Sequence, residues 1–161
     1  LVPFAGVAFL WFIGVLRDRL AQLEDRFFAT VFFGSGLLFL AMLFAAAAVI
    51  GAIVLVASIS TPQELMNSAT FRFARAASYI IANVYAIKMA AVFMISTSTV
   101  VIRTGIAPRW IAYLGFLLAL TLLLGSFFIS WSFAVLPFWV FLISVYILID
   151  NLRGGAKADG G

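Results

Sequence analysis

The stretch that decides the fold is SYIIANVYAIKMAAVFMISTSTVVI, residues 78–102, an apolar run that carries a lysine, Lys88, near its middle. As a helix rising about 1.5 Å per residue it would be roughly 37 Å long, enough to cross a hydrocarbon core of about 30 Å with some tilt. Arg75 precedes the run and Arg103 follows it, so cations mark both ends. The pattern predicts a membrane-spanning helix.

The composition extends this prediction to the whole chain. Of its 161 residues 66% are hydrophobic and 10% are charged, and the mean hydropathy is +1.22, which is too apolar for a soluble globule. Long apolar runs alternate with short charged clusters, whereas an outer-membrane barrel would show short segments of alternating polarity. The predicted fold class is all-α, with a membrane-embedded bundle of about five transmembrane helices over residues 1–149 and a flexible cytoplasmic tail at 150–161.

The apolar runs that we expect to span the membrane cover residues 1–16, 27–58, 78–102, 110–128 and 133–149. The polar stretch 59–77 is expected to be an external loop, in which Thr61, Pro62 and Glu64 resemble the start of a short helix. Gly105 predicts a tight turn at 103–109 between antiparallel neighbours. Because the sequence starts with leucine inside an apolar run, we expect one more helix upstream.

The cations predict the orientation. If the loop 17–26, the turn 103–109 and the tail 150–161 share one side, that side holds Arg17, Arg19, Arg26, Arg103, Arg109, Arg153 and Lys157. Only Arg72 and Arg75 remain for the other side. The positive-inside rule then places the first three segments in the cytoplasm. Orientation therefore accounts for the net charge of +4, and no nucleic-acid partner is expected.

The chain contains no cysteine and no histidine. Their absence removes disulfides, thiolate chemistry, the usual zinc sites and histidine-ligated haem. Aspartate and glutamate are confined to the predicted loops and tail, so no acid, base or nucleophile set lies within a span. The sequence predicts a non-enzymatic protein with no catalytic residues, no metal site and no cofactor.

The one candidate site is an intramembrane polar site formed by Lys88, Tyr85, Ser96 and Thr99. A charge at this depth is costly to bury, and no span carries a carboxylate at its middle, which disfavours a proton relay. The alternatives are a lysine held neutral, a carboxylate on an upstream helix or another subunit, and a lipid phosphate reached by bilayer thinning. We expect the partner of Lys88 to lie outside the sequence given.

The hydroxyl run 96–99 has an ordinary interpretation besides an ion or substrate site. Serine and threonine in membrane helices most often donate to the carbonyl one turn earlier. The face opposite Lys88 carries Ala82, Ala86 and Ala90 at four-residue spacing, which predicts a helix-packing seam and points Lys88 away from the closest packing. Asn83 also faces away from Lys88 and would suit an interhelical hydrogen bond.

Three segments, PFAGVAFLWFIGVLRDRL, EDRFFATVFFGSGLLFLAMLF and MAAVFMISTSTVVIRTGIAPRWIAYLG, resemble a group of small bacterial integral membrane proteins of unassigned function, common in actinobacterial-type genomes. The resemblance implies a multi-pass protein of the bacterial cytoplasmic (inner) membrane and transfers no active site. The expected function is an accessory or scaffolding subunit in the lipid bilayer, with a membrane-protein partner or a second copy. The alternative is a small transporter or channel component in which Lys88 lines a polar path.

Overall fold

The computed structural model describes residues 2–20, 26–125 and 132–158, and all regular structure within these ranges is helical. The helices are α1 (Val2–Leu20), α2 (Arg26–Ile59), α3 (Pro62–Asn67), α4 (Ala69–Thr104), α5 (Arg109–Gly125) and α6 (Ser132–Ala158). Within α4, the α-helical segments Ala69–Ile80 and Ile87–Thr104 are joined by a π-helical segment, Ile81–Ala86. The predicted all-α class is confirmed.

Two helices are long and apolar enough to cross a membrane, judged by length and composition. They are Thr30–Ile59, with a mean hydropathy of 2.8, and Ala69–Thr104, with a mean hydropathy of 1.7. The apolar parts of the other long helices, Val2–Arg17, Arg109–Gly125 and Ala134–Ile149, are shorter than such a span requires. Two of the five predicted spans therefore qualify by this measure within the described residues.

The predicted external loop 59–77 is mostly helical, which corrects the expectation. Its first part is α3, whose start is as predicted: Thr61 Oγ1 accepts from the Glu64 N–H at 3.4 Å, and the Glu64 carboxylate accepts from the Thr61 N–H at 2.8 Å. This backbone donor lowers the pKa of Glu64. Ser68 then caps α4 by accepting from the Phe71 N–H at 3.2 Å. Two adjacent caps thus convert a polar stretch into two helix starts.

The predicted turn after α4 is confirmed. Gly105 has a φ of +67°, in the left-handed region that favours glycine, and its N–H donates to the Val101 carbonyl at 3.0 Å. α5 then runs antiparallel to α4, because Lys88 meets Leu123 while Ser98 meets Gly115. As residue numbers fall along α4, the facing residue numbers rise along α5.

Several predicted boundaries move. α1 continues past residue 16 to Leu20, because the charged residues that follow the apolar run extend its last turn. The predicted turn residues 21–25 and 130–131 lie outside the described residues. α6 continues to Ala158, through most of the predicted tail at 150–161, and the mobility of that tail stays a prediction.

The core joins α1, α2 and α4 around Phe93, which is fully buried. Its ring centroid lies 4.9 Å from that of Phe32 and 5.1 Å from that of Phe9. Gly36 of α2 fits beside this cluster, since a Cβ there would lie 2.7 Å from Ile13 and 3.2 Å from Phe93. Aromatic rings thus fill the space that a small residue leaves between three helices.

Contacts between the helices show which ends lie together. Arg17, near the end of α1, lies over the Phe33 ring near the start of α2, with 5.0 Å between guanidinium carbon and ring centroid. Trp139 of α6 donates through Nε1 to the Ile111 carbonyl near the start of α5, at 3.3 Å. Leu136, which comes earlier in α6, lines a cavity together with Ile87, which comes early in the second half of α4. α6 therefore runs parallel to α4, and the end of α1, the start of α2, the turn 103–109 and the end of α6 share one end of the bundle.

At the other end, α2 and α4 continue beyond the described residues of the other helices. Gly6 of α1 lies against Phe44 of α2, so residues 49–59 and 69–80 lie up to about 16 Å beyond Val2 at about 1.5 Å per residue. We call these two segments, with α3 between them, the two-helix extension. Its most exposed apolar side chains are Val54, Leu55, Ile59, Phe73 and Tyr79.

The closest approach between α4 and α5 gives a packing prediction. At Gly115 a Cβ would lie 2.2 Å from Ser98 Oγ and 2.6 Å from Trp139 Cζ2. Gly115→Ala should lower the free energy of unfolding in detergent by about 1–3 kcal/mol through overpacking. At Gly34 nothing lies within 4 Å, so Gly34→Ala should be neutral or stabilising by up to about 1 kcal/mol. Equal thermal unfolding of the two variants would contradict this packing.

Candidate functional site

The candidate site is organised by Lys88, which is half-buried in α4. Its Nζ donates a hydrogen bond to the backbone carbonyl of Leu123 in α5. Leu123 lies within the last described turn of α5, two residues before Gly125. The ammonium group therefore bonds to the C-terminal part of α5 as the structure describes it, where the helix dipole favours a positive charge.

The hairpin explains why this carbonyl lies opposite the lysine. The Gly105 turn brings α5 back along α4, and the Ser98–Gly115 contact fixes the register of the two helices. From that contact, Lys88 is ten residues back along α4 and Leu123 is eight residues on along α5, so each lies about 12–15 Å away in the same direction. The segment Ile87–Thr104 packs more extensively against α5 than against any other helix.

The geometry corrects one expectation about Lys88. It points toward a closely packed helix, whereas the alanine stripe on the opposite face suggested that it points away from the closest packing. Its acceptor within the chain is a backbone carbonyl, and a partner outside the sequence given stays a prediction. This carbonyl satisfies one of the three donors of the ammonium group.

The π-helical segment Ile81–Ala86 lies directly before Lys88 and separates the two-helix extension from the bundle. In a π-helix each N–H bonds five residues back, so the face that follows is rotated relative to an uninterrupted α-helix. Tyr85 is 57% exposed and makes no hydrogen bond to Lys88 among the described contacts. Asn83 donates to the Tyr79 carbonyl of its own helix at 3.1 Å, not to another helix as expected.

The hydroxyl run follows its ordinary interpretation at three of four positions. Ser96, Thr97 and Thr99 each donate to the carbonyl four residues earlier, at 2.8–2.9 Å. Ser96 is also about 12 Å along the helix from Lys88, so the structure does not bring the predicted site residues together. These bonds use the donors of the three hydroxyl groups within their own helix.

Ser98 is the exception, although it belongs to the same hydroxyl run. Its side chain is fully buried against Gly115 and Trp139, and its hydroxyl has no hydrogen-bond partner among the described residues. It lies where α4, α5 and α6 approach most closely. Gly115 of α5 allows this contact because it has no side chain. That it lies opposite Ser98 follows from the register of the α4–α5 hairpin.

The alanines of the predicted packing seam are buried or half-buried, as residues between packed helices are. Ala86 and Ala90 are buried and Ala82 is half-buried, while Val92, closer to the Lys88 face, is half-buried. The role of these three alanines as the seam that sets helix approach stays a prediction.

A cavity of about 580 Å³ lies between α1, α2, α4 and α6. Ile87 and Ala90 contribute to its wall from α4, but Lys88 does not, because it faces α5. Within the described ranges, no group of three or more His, Cys, Asp or Glu side chains is placed to hold a metal ion. The cavity is therefore separate from the lysine site.

Comparison with known proteins adds no identity. The chain matches no protein-family model, no curated protein and no solved structure.

The Lys88 contact predicts the effect of removing the charge. Lys88→Met keeps the length of the side chain but leaves the Leu123 carbonyl without its donor, so the free energy of unfolding in detergent should fall by about 1–3 kcal/mol. Amide exchange in the last turn of α5 should also accelerate. Lys157→Met, which changes the only other lysine, should affect neither measurement. A Lys88→Met protein that is more stable than the wild type would contradict the role of this bond.

Proposed function

We propose that this protein is a non-enzymatic integral membrane protein of a bacterial cytoplasmic membrane that serves as an accessory or scaffolding subunit. In this proposal the helices form a bundle of about five spans, and the end that carries the turn 103–109 faces the cytoplasm. The common location of the cation-bearing ends of α1, α2, α4, α5 and α6 supports that orientation.

The observation that carries the membrane assignment is the bare apolar surface of α2. In its most apolar window only 11% of the residues are buried within the chain, against 44% for α4. A soluble protein would bury such a helix in its core, because exposed apolar patches of this size drive association. Lipid chains supply the cover that the protein itself does not.

The two-helix extension supports a protein partner in addition to lipid. At about 1.5 Å per residue α2 is roughly 51 Å long and α4 roughly 54 Å, whereas the hydrocarbon core is about 30 Å thick. Tilt alone absorbs little of such a difference, since spans are tilted by about 20° on average. Leu55, Ile59 and Phe73 are exposed on this extension, and in this proposal a membrane-protein partner or a second copy covers them.

A transporter or channel component is the less favoured alternative. It requires a polar path that reaches Lys88, but Lys88 is held by the Leu123 carbonyl and the cavity has largely apolar walls. Ser96, Thr97 and Thr99 each donate to a carbonyl of their own helix. These contacts favour structural roles for the intramembrane polar groups.

Site-specific photo-crosslinking in the native membrane tests the accessory function. A benzophenone amino acid at Leu55 or Phe73 should give a discrete protein adduct, either with a partner or with a second copy at twice the mass. The same probe at Leu117 or Leu124, which are 63% and 75% exposed on α5, should label lipid. Absence of protein adducts from both extension sites, combined with solute flux in proteoliposomes that Lys88→Met abolishes, would support the transporter instead.

A further inference from the structure

Arg72 and Arg75 form a pair of cations on the exposed face of α4, within the two-helix extension. Residues three apart on a helix are neighbours, with about 5–6 Å between their Cβ atoms, so both guanidinium groups can reach one anion. Neither side chain forms an ion pair or a hydrogen bond with any described residue. The accessory function makes no use of this arginine pair.

The chain offers the arginine pair no free carboxylate. Glu64 is the only acidic residue between positions 26 and 149. Its carboxylate accepts from the Thr61 N–H, and its pKa is lowered by the Thr61 hydrogen bonds and not by an arginine. The other five acidic residues belong to the segments 17–26 and 150–161, next in sequence to helix ends at the opposite end of the bundle. The counter-charge therefore has to come from outside the chain.

The position of the arginine pair along α4 matches a headgroup layer. Arg75 and Arg103 are 28 residues apart in the sequence, which is roughly 40 Å along the helix axis. A bilayer with both of its headgroup layers is about 40–45 Å thick. With the turn 103–109 at the cytoplasmic surface, the arginine pair lies among the headgroups of the opposite leaflet, where every phospholipid presents a phosphate.

The side chains below the arginine pair change with depth as a phospholipid does. Tyr79 and Ile80 follow it on the exposed surface of α4, one to two turns nearer the middle of the helix, and are 55% and 46% exposed. Tyrosine is enriched at the boundary between headgroups and acyl chains, whereas isoleucine suits the hydrocarbon. This order fits a phosphate at the arginines with an acyl chain beside Tyr79 and Ile80. An acidic protein surface or a free anion requires no such order.

We propose that Arg72 and Arg75 together bind the phosphate of one anionic phospholipid, of the phosphatidylglycerol type, in the leaflet opposite the turn 103–109. Guanidinium groups match phosphate oxygens with paired, charge-assisted hydrogen bonds. A zwitterionic phospholipid binds less tightly, because its own cation lies beside the phosphate and is repelled by the arginines. The proposal rests on the membrane setting of the proposed function, but it requires no protein partner.

Lipid-specific fluorescence quenching tests the preference. The chain has no cysteine, so Ile80→Cys provides one site for a bimane label beside the arginine pair. The full chain in phosphatidylcholine vesicles receives phosphatidylglycerol or phosphatidylcholine that carries a nitroxide high on one acyl chain. Quenching at position 80 should show roughly 10- to 25-fold tighter binding of phosphatidylglycerol, at about fivefold per arginine.

Ile50→Cys is the matched control position on α2. Ile50 is 49% exposed, and it lies at the same level as Ile80, because Gly36 meets Phe93 and the two isoleucines are 14 and 13 residues from that contact. The control has the same residue type, exposure and depth, but it lies on another helix. The two lipids should quench a bimane label there to a similar extent.

Two variants separate a paired site from the effect of net charge. Arg75→Gln should lower the preference at position 80 about fivefold. Thr70→Arg/Arg75→Gln keeps the net charge of +4, but residues 70 and 72 are two apart and do not face each other. This double variant should lose as much preference as the single one. Thr70 and Arg75 are exposed, so thermal unfolding and size exclusion should match the wild type.

The proposal is overturned if the wild type shows no lipid preference at position 80, if position 50 shows the same preference, or if Thr70→Arg/Arg75→Gln retains it. Loss of the preference in millimolar inorganic phosphate at constant ionic strength would identify a free-anion site and overturn it too. Loss of the Phe73 protein adduct in Arg75→Gln, with unchanged lipid preference, would assign the arginines to an acidic partner. Phe73 lies about 160° around the helix from Arg75, so the crosslinking test of the accessory function and this test fail separately.

Discussion

The hydrogen bond from Lys88 to the Leu123 carbonyl is the interaction on which the rest of the arrangement depends. The bond joins the middle of α4 to the last described turn of α5, where the helix dipole favours a positive charge. A lysine on the neighbouring helix supplies a donor and a charge of the favourable sign at that point. The residue that looks most out of place in the sequence thereby ties the two helices of the hairpin together.

This bond and the Gly105 turn hold the two ends of the α4–α5 hairpin, and the register they set determines the other close contacts. Ser98 lies against Gly115, and Trp139 of α6 packs on the same glycine while it donates to the Ile111 carbonyl. α6 is thereby placed across from α1, with the cavity between them. A slip of the hairpin by one residue would move all of these contacts together.

Features with a local cause were predictable from the sequence. The all-α class follows from the long apolar runs, the turn follows from Gly105, and the start of α3 follows from the spacing of Thr61 and Glu64. The acceptor of Lys88 was not predictable, because the Leu123 carbonyl lies beside the lysine only in the register that the α4–α5 hairpin adopts. The burial of Ser98 likewise depends on tertiary contacts that residue spacing does not encode, whereas the bond from Asn83 to Tyr79 is local and replaces the interhelical bond that we expected.

The most direct measurement of the central claim is a solid-state NMR distance between ¹⁵Nζ of lysine and ¹³C′ of leucine in lipid bilayers. The chain has two lysines, so Lys157→Arg leaves Lys88 as the single labelled ammonium. A hydrogen bond places Nζ about 4 Å or less from the Leu123 carbonyl carbon, and the dipolar dephasing should be strong. Leu123→Ile keeps the carbonyl but removes its label, and the dephasing should largely disappear. No dephasing in the first sample, or equal dephasing in both, would contradict the account.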